Sequence, residues 1–103
     1  MNRSNCALTE AVYYILLVLT EPMHGYGIMQ RIAEISNGRL LISAGTLYGA
    51  LSSLLDKQWI IQHAFDTESR KKEYQITPLG REVLQAEYMR LAELVANGEQ
   101  ILK

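Results

Sequence analysis

The chain has 103 residues, 49% of them hydrophobic and 20% charged, with a formal net charge of −1 and a pI of about 6.1. That is the content of one domain with a real core, and it excludes both a low-hydropathy disordered chain and a uniformly basic body that would bind nucleic acid without discrimination. The single cysteine, Cys6, has no CxxC partner, and the longest apolar run, Ala11 to Leu19, falls short of the roughly 20 residues of a membrane span, so a soluble cytoplasmic protein away from the membrane is expected.

The first ten residues, MNRSNCALTE, lack the apolar stretch of a secretory leader. Thr9 is an N-cap for a helix from Glu10 to about Thr20, which Glu21-Pro22 stops, because proline disfavours helical geometry in the residue before it. Leu8, Val12, Ile15, Leu16 and Leu19 share one apolar face, yet Tyr13, Tyr14 and Leu17 lie on the other. A helix of a small domain turns one side to its own core. The second apolar side therefore predicts a covering chain.

In HGYGIMQRIAEISNG, Ile28, Ile32 and Ile35 recur at helical spacing and Asn37-Gly38 supplies left-handed residues to end a second helix. Leu40-Leu41-Ile42 reads as a short strand before Ser43, the N-cap of a third helix that ends near Lys57 or Gln58. Leu47, Leu51, Leu54 and Leu55 fall together on its wheel, flanked by Ala44 and Ala50. The opposite side carries Gly45, Thr46, Gly49, Ser52, Ser53 and Asp56, with Tyr48 at its edge, where an exposed helix usually carries Lys, Glu and Arg. Each glycine there costs roughly 1 kcal/mol relative to alanine. Two explanations are open: a close helix contact inside the protein, or a face kept small so that a ligand approaches the backbone.

From Trp59 the pattern turns to β, with WIIQHAF and KKEYQIT around the polar DTESR, a hairpin whose turn and second strand open on Arg70, Lys71 and Lys72. Thr77-Pro78 then reads as N-cap and first residue of a long last helix. Within it Leu84, Tyr88, Leu91, Val95 and Leu102 follow the four-three alternation of a coiled-coil seam, interrupted by Gly98.

This order of elements predicts a mainly α fold with a small β-hairpin: a winged helix-turn-helix over residues 1–76, and a C-terminal dimerisation helix over residues 77–103, in one compact unit. In that architecture the third helix enters the DNA major groove, about 12 Å wide, and the wing cations meet phosphates. The small residues Gly45, Gly49 and Ser52 let the backbone sit near the groove floor, and Ser43, Thr46 and Tyr48 offer hydroxyls. Catalysis is not expected, because His24 and His63 stand alone in separate elements and no nucleophile, metal-ligand or phosphate-loop spacing occurs. No cofactor or metal is expected either. The competing function is a winged-helix module that binds only proteins.

HGYGIMQRI after a proline, GTLYGALSSLLDKQWI and KKEYQITPLGREVL together resemble the PadR family of bacterial transcriptional regulators, over almost the whole chain. The short single final helix is similar to the small subfamily that includes the lactococcal multidrug-sensing repressor. The chain departs from the family pattern at Gly49, where proline is usual, and at Gln58, where glycine often ends the helix. The resemblance implies a homodimeric repressor on a double-stranded DNA operator, with Tyr26 and Tyr48 near DNA and Arg70 to Lys72 as the basic wing. Dimerisation is expected through Tyr13, Tyr14, Leu17, Leu84, Tyr88, Leu91 and Val95. Tyr13, Leu17, Tyr88 and Met89 are the expected wall of a site for a planar apolar small molecule between the subunits, the alternative being an interface filled by its own side chains.

Overall fold

A computed structural model describes residues 7–66 and 71–103, with backbone alone for 64–66 and 71; Cys6 and Arg70 lie outside the described residues. In chain order the elements are α1 (Glu10–Val18), β1 (Met23–His24), α2 (Gly25–Ile35), α3 (Ala44–Asp56), β2 (Ile60–Asp66), β3 (Lys71–Ile76) and α4 (Pro78–Leu102). Three of the four helices start on a hydroxyl cap. Thr9 accepts from the Val12 N–H at 3.1 Å, Ser43 from Thr46 at 3.2 Å, and Thr77 from Gly80 at 3.0 Å. Helix α2 starts at His24, whose side chain makes no capping bond.

The predicted strand at Leu40–Ile42 does not form. Those residues join no sheet, and Leu41 is exposed; the edge of β3 away from β2 is taken instead by Met23 and His24. The sheet is thus three-stranded and antiparallel in the order β1-β3-β2, with Met23 opposite Tyr74, His24 opposite Glu73, and Ile60 opposite Ile76. A bulge between Ala64 and Asp66 shifts the hairpin register near its turn.

Nine side chains are essentially sealed from solvent: Ile15, Leu16 and Leu19 of α1 and the residue after it, Ile28 and Ile32 of α2, Leu47, Leu51 and Leu54 of α3, and Ile60 of β2. Tyr74 and Ile76 of β3 and Leu84 of α4 close the cluster. Ile35, which shares the α2 spacing, lies at its rim and is partly exposed. Removing this apolar surface from water is the principal gain of folding.

Two junctions set the directions of the outer elements. At the first, the Thr77 hydroxyl donates to the Gln58 carbonyl at 2.7 Å and the Thr77 N–H donates to the Trp59 carbonyl at 2.9 Å, tying the start of α4 to the end of α3. A methyl on Gly80 would come within 2.1 Å of the Trp59 carbonyl oxygen, so only glycine lets α4 approach this closely. The Lys57 ammonium covers the Trp59 ring at 4.8 Å. At the second, Glu87 of α4 is buried to 4% exposure and holds Arg90 through two bonds of 2.7 and 2.8 Å while accepting from the Leu8 N–H at 3.2 Å. The Arg90 guanidinium, foremost, and the Leu8 amide keep this carboxyl ionised, below the ordinary glutamate range, against the opposing effect of burial.

Helix α2 ends on Asn37 and Gly38 at φ of 56° and 78°, the left-handed residues expected there. Helix α3 ends the same way on Gln58, at φ of 64°, with the Trp59 N–H donating back to the Leu54 carbonyl at 3.0 Å. The backbone demand that glycine meets in the family pattern is here imposed on a residue with a Cβ. Gln58→Gly should therefore raise the free energy of unfolding by on the order of 1 kcal/mol, read as a higher urea midpoint at unchanged slope.

Candidate nucleic-acid interface

The leucine stripe of α3 anchors the helix. With Leu47, Leu51 and Leu54 at 2% exposure or less, rotation about the helix axis would expose them, and the opposite face is held outward. That face consists of Ser43, Gly45, Thr46, Gly49, Ser52, Ser53 and Asp56, all exposed, and half-exposed Tyr48. A Cβ built on Gly45 or on Gly49 meets no atom within 4 Å. The close-contact explanation for these glycines therefore fails, since no described part of the chain lies against them. What remains is a smooth surface from Gly45 to Ser52 that a rigid partner could approach to the depth of the helix backbone.

At its N-terminal end the hydroxyls are ordered. Ser43 uses its oxygen to cap Thr46 and donates its proton to the Thr46 oxygen at 3.1 Å, which turns the Thr46 hydroxyl into the outward donor. Next to this end lies the start of α2. Its first turn has no capping side chain and no acidic residue, so no side chain of its own neutralises the positive end of its dipole. Tyr26, 67% exposed, stands on that turn, with the Gln30 amide 3.4 Å from its hydroxyl.

Lys71 and Lys72 open β3, opposite Asp66 and Ala64, and the Lys72 side chain is exposed. Sequence reasoning missed the uncapped start of α2, although the absence of Ser, Thr, Asp or Asn before GYG is its signal. It also missed Gly25, which lies against Tyr48, and Tyr74, which the Tyr48 phenol influences electrostatically. Tyr74 is buried, and burial chiefly, with the nearby Tyr48 phenol, pushes its hydroxyl above the ordinary tyrosine range.

The residues expected at a dimer interface divide. Leu84 belongs to the chain's own core and Leu91 is half-buried, whereas Tyr88 and Val95 are 54% and 62% exposed. Tyr13 and Tyr14 pack edge to face at 6.4 Å, partly buried against the core, and Leu17 is partly exposed beside them. Helices α1 and α4 pack side by side here, and burial and then the neighbouring Tyr88 raise the Tyr13 hydroxyl above its usual range. Of the residues expected around a small molecule, Met89 alone borders the shallow groove between Arg81, Glu82, Gln85 and Ala86 along α4.

A family model described as the transcriptional regulator PadR-like family matches residues 15–86. A curated relative, an uncharacterized 37.1 kDa protein in transposon TN4556 of Streptomyces fradiae, is 36% identical over 86 residues; these are 82% of this chain and 24% of that protein, so the chain spans about a quarter of its relative. Among solved structures, a transcriptional regulator from Clostridium thermocellum superposes with a TM-score of 0.79 at 24% identity, covering 90% of both chains. A PadR family transcriptional regulator from Eggerthella lenta gives 0.77 at 25% identity, over 89% of this chain and 80% of its own.

The open space at Gly49 has a consequence for stability alone. Gly49→Ala adds a methyl that touches nothing in a helix interior, and should raise the unfolding free energy by roughly 1 kcal/mol, measured by thermal or urea denaturation.

Proposed function

Because the chain belongs to the PadR-like family, and is by that membership a transcriptional regulator of the DNA-binding kind, we propose that it works as a homodimeric repressor that lays the bare face of α3 in the major groove. The observation that carries this reading is the empty space over Gly45 and Gly49 on a helix whose rotation the core forbids. A face that destabilises its own helix and touches nothing in the described chain is suited to a ligand whose floor must come close. Around it, the uncapped α2 start and the cations of β3 suit phosphates on either side of the groove. The face offers no Arg, Asn or Gln for bidentate base pairing, so hydroxyl contacts and DNA shape would share the discrimination.

Dimerisation rests on α4. The helix is about 37 Å long at 1.5 Å per residue, and its far half carries Leu94, Val95, Ile101 and Leu102 in contact with solvent. A second copy of α4 laid along Tyr88 and Val95 would cover them and set the two recognition helices at the spacing of two half-sites, about 34–36 Å. A planar apolar effector among Tyr13, Leu17, Tyr88 and Met89 would act by favouring a different spacing; one that bound both spacings equally would change nothing.

Three measurements test this reading. A gel shift on DNA from upstream of the protein's own gene separates a repressor from a protein-binding module, which would shift none. In it, Gly49→Ala should bind more weakly despite its greater stability, and tighter binding would sink the groove assignment.

Replacing Arg70, Lys71 and Lys72 together by alanine should weaken binding to operator and to scrambled duplex alike. The slope of log affinity against log salt should fall by roughly 0.9 for each phosphate that the protein ceases to neutralise. An unchanged slope would remove the wing from the interface.

Val95→Asp, at an exposed position, should yield a folded monomer in sedimentation where the parent protein is a dimer. Leu91→Asp is the poorer choice, because Leu91 also packs within its own chain.

A further inference from the structure

The motifs HGYG and GTLYG meet in the structure. A Cβ placed on Gly25 would fall 2.2 Å from the Tyr48 hydroxyl oxygen, 2.8 Å from Cζ and 3.3 Å from Cε1. A fold calls for glycine at a position for one of two reasons, a left-handed backbone or a lack of room, and Gly25 is not among the residues with positive φ. Lack of room is therefore its reason, and the phenol end of Tyr48, hydroxyl foremost and ring carbons behind it, is what occupies the space. Gly25 is buried beneath that ring as the first residue of α2. On the sheet side lies Tyr74, in the middle strand, paired with Met23 of β1 on one flank and Gln62 of β2 on the other. One side chain of α3 thus bears on the start of α2, and its phenol acts electrostatically on Tyr74 in the strand that carries Lys71 and Lys72.

We propose that Tyr48 serves DNA recognition as a positioning residue: its ring, seated on Gly25, sets the tilt of α3 relative to the α2 start and the wing. The proposal rests on the DNA-binding reading above. Contact with phosphates at the α2 start and along β3 while α3 reads the groove requires these three parts in one fixed relation, and the leucine stripe controls only the rotation of α3. The ring supplies the remaining constraint. Its work is done by shape: without the hydroxyl, Cζ and Cε1 still cover Gly25 closer than a Cβ there would tolerate, so the ring keeps its seat, whereas a tyrosine that bound a phosphate or a base edge directly would act through the hydroxyl.

The probe is a duplex selected by the parent protein from a random-sequence pool, with affinities measured across a salt series. Tyr48→Phe should bind within about twofold of the parent, the scatter of an unperturbed site. Tyr48→Ala and Gly25→Ala should each bind on the order of tenfold more weakly, the middle of the range for residues in contact, and the double variant should be no weaker than Tyr48→Ala alone. Gly25→Ala keeps every backbone N–H and only drives the ring from its seat, so its weaker binding is diagnostic. For Tyr48→Ala the salt slope should fall as well, because phosphate contacts away from residue 48 go with the tilt.

Tyr48→Phe as weak as Tyr48→Ala, effects that multiply in the double variant, or a salt slope unchanged in Tyr48→Ala would each overturn the proposal while leaving DNA binding intact. Failure to enrich any duplex would overturn both. Circular dichroism establishes that each variant is folded; should Gly25→Ala unfold, the contrast between Tyr48→Phe and Tyr48→Ala, with its salt slope, decides alone.

Discussion

The burial of one leucine stripe governs this molecule. Leu47, Leu51 and Leu54 pack among Ile15, Leu16, Leu19, Ile28 and Ile32, and a helix so held has no freedom to turn. Interiors packed to crystal-like density resist such rotation, because each apolar side chain moved into water forfeits both its packing and its transfer free energy. Everything on the far side of α3 is outward by consequence. The chain could fill that side with Lys and Glu, as solvated helices do, and instead keeps it small at a cost to helix stability. Local helix propensity is overruled on this face, and the packed core supplies the stability that allows it.

Orientation of one helix would be of little use if the parts around it were loose. The end of α3, the start of β2 and the start of α4 are joined through Gln58, Trp59, Thr77 and Gly80, where two hydrogen bonds and a glycine without room for a methyl fix the exit of α4. The buried Glu87 joins α4 again to the segment before α1. Helix α4 consequently leaves the domain in a defined direction, with its first half committed to the chain's own core and its second half bare. A bare apolar half-helix on a rigid base presents a surface that two copies could share without either rearranging.

Much of this was legible in the order of residue types. Periodicity identified all four helices, alternation around DTESR identified the hairpin, and Thr9, Ser43 and Thr77 marked three helix starts. These signals are local, carried within a few residues of the feature they announce. The strand at Met23–His24 has no such signal, because two residues have no period and their extended pairing is decided by the edge of β3. Leu40–Ile42 shows the converse: apolar and β-prone, it stays outside the sheet, since both edges of β3 are taken by β1 and β2. Likewise the coiled-coil alternation of the last helix is real in sequence, but the split between Leu84, inside, and Val95, outside, follows from where the domain ends.

Taken by itself, the sequence determined the element order, the winged-helix class, the bare face of the third helix and the family to which the chain belongs. All of these are written in short-range patterns that any copy of the fold must carry. Only the tertiary structure decided why Gly25 and Tyr48 stand where they do. Gly25 and Tyr48 are far apart along the chain, and neither announces the other. That Gly45 and Gly49 face open space while Gly25 and Gly80 have none was equally beyond sequence reasoning. Glycine looks the same in a sequence whether it admits a ligand, a ring or a neighbouring carbonyl, and the difference lies in which distant atoms the packed core brings against it.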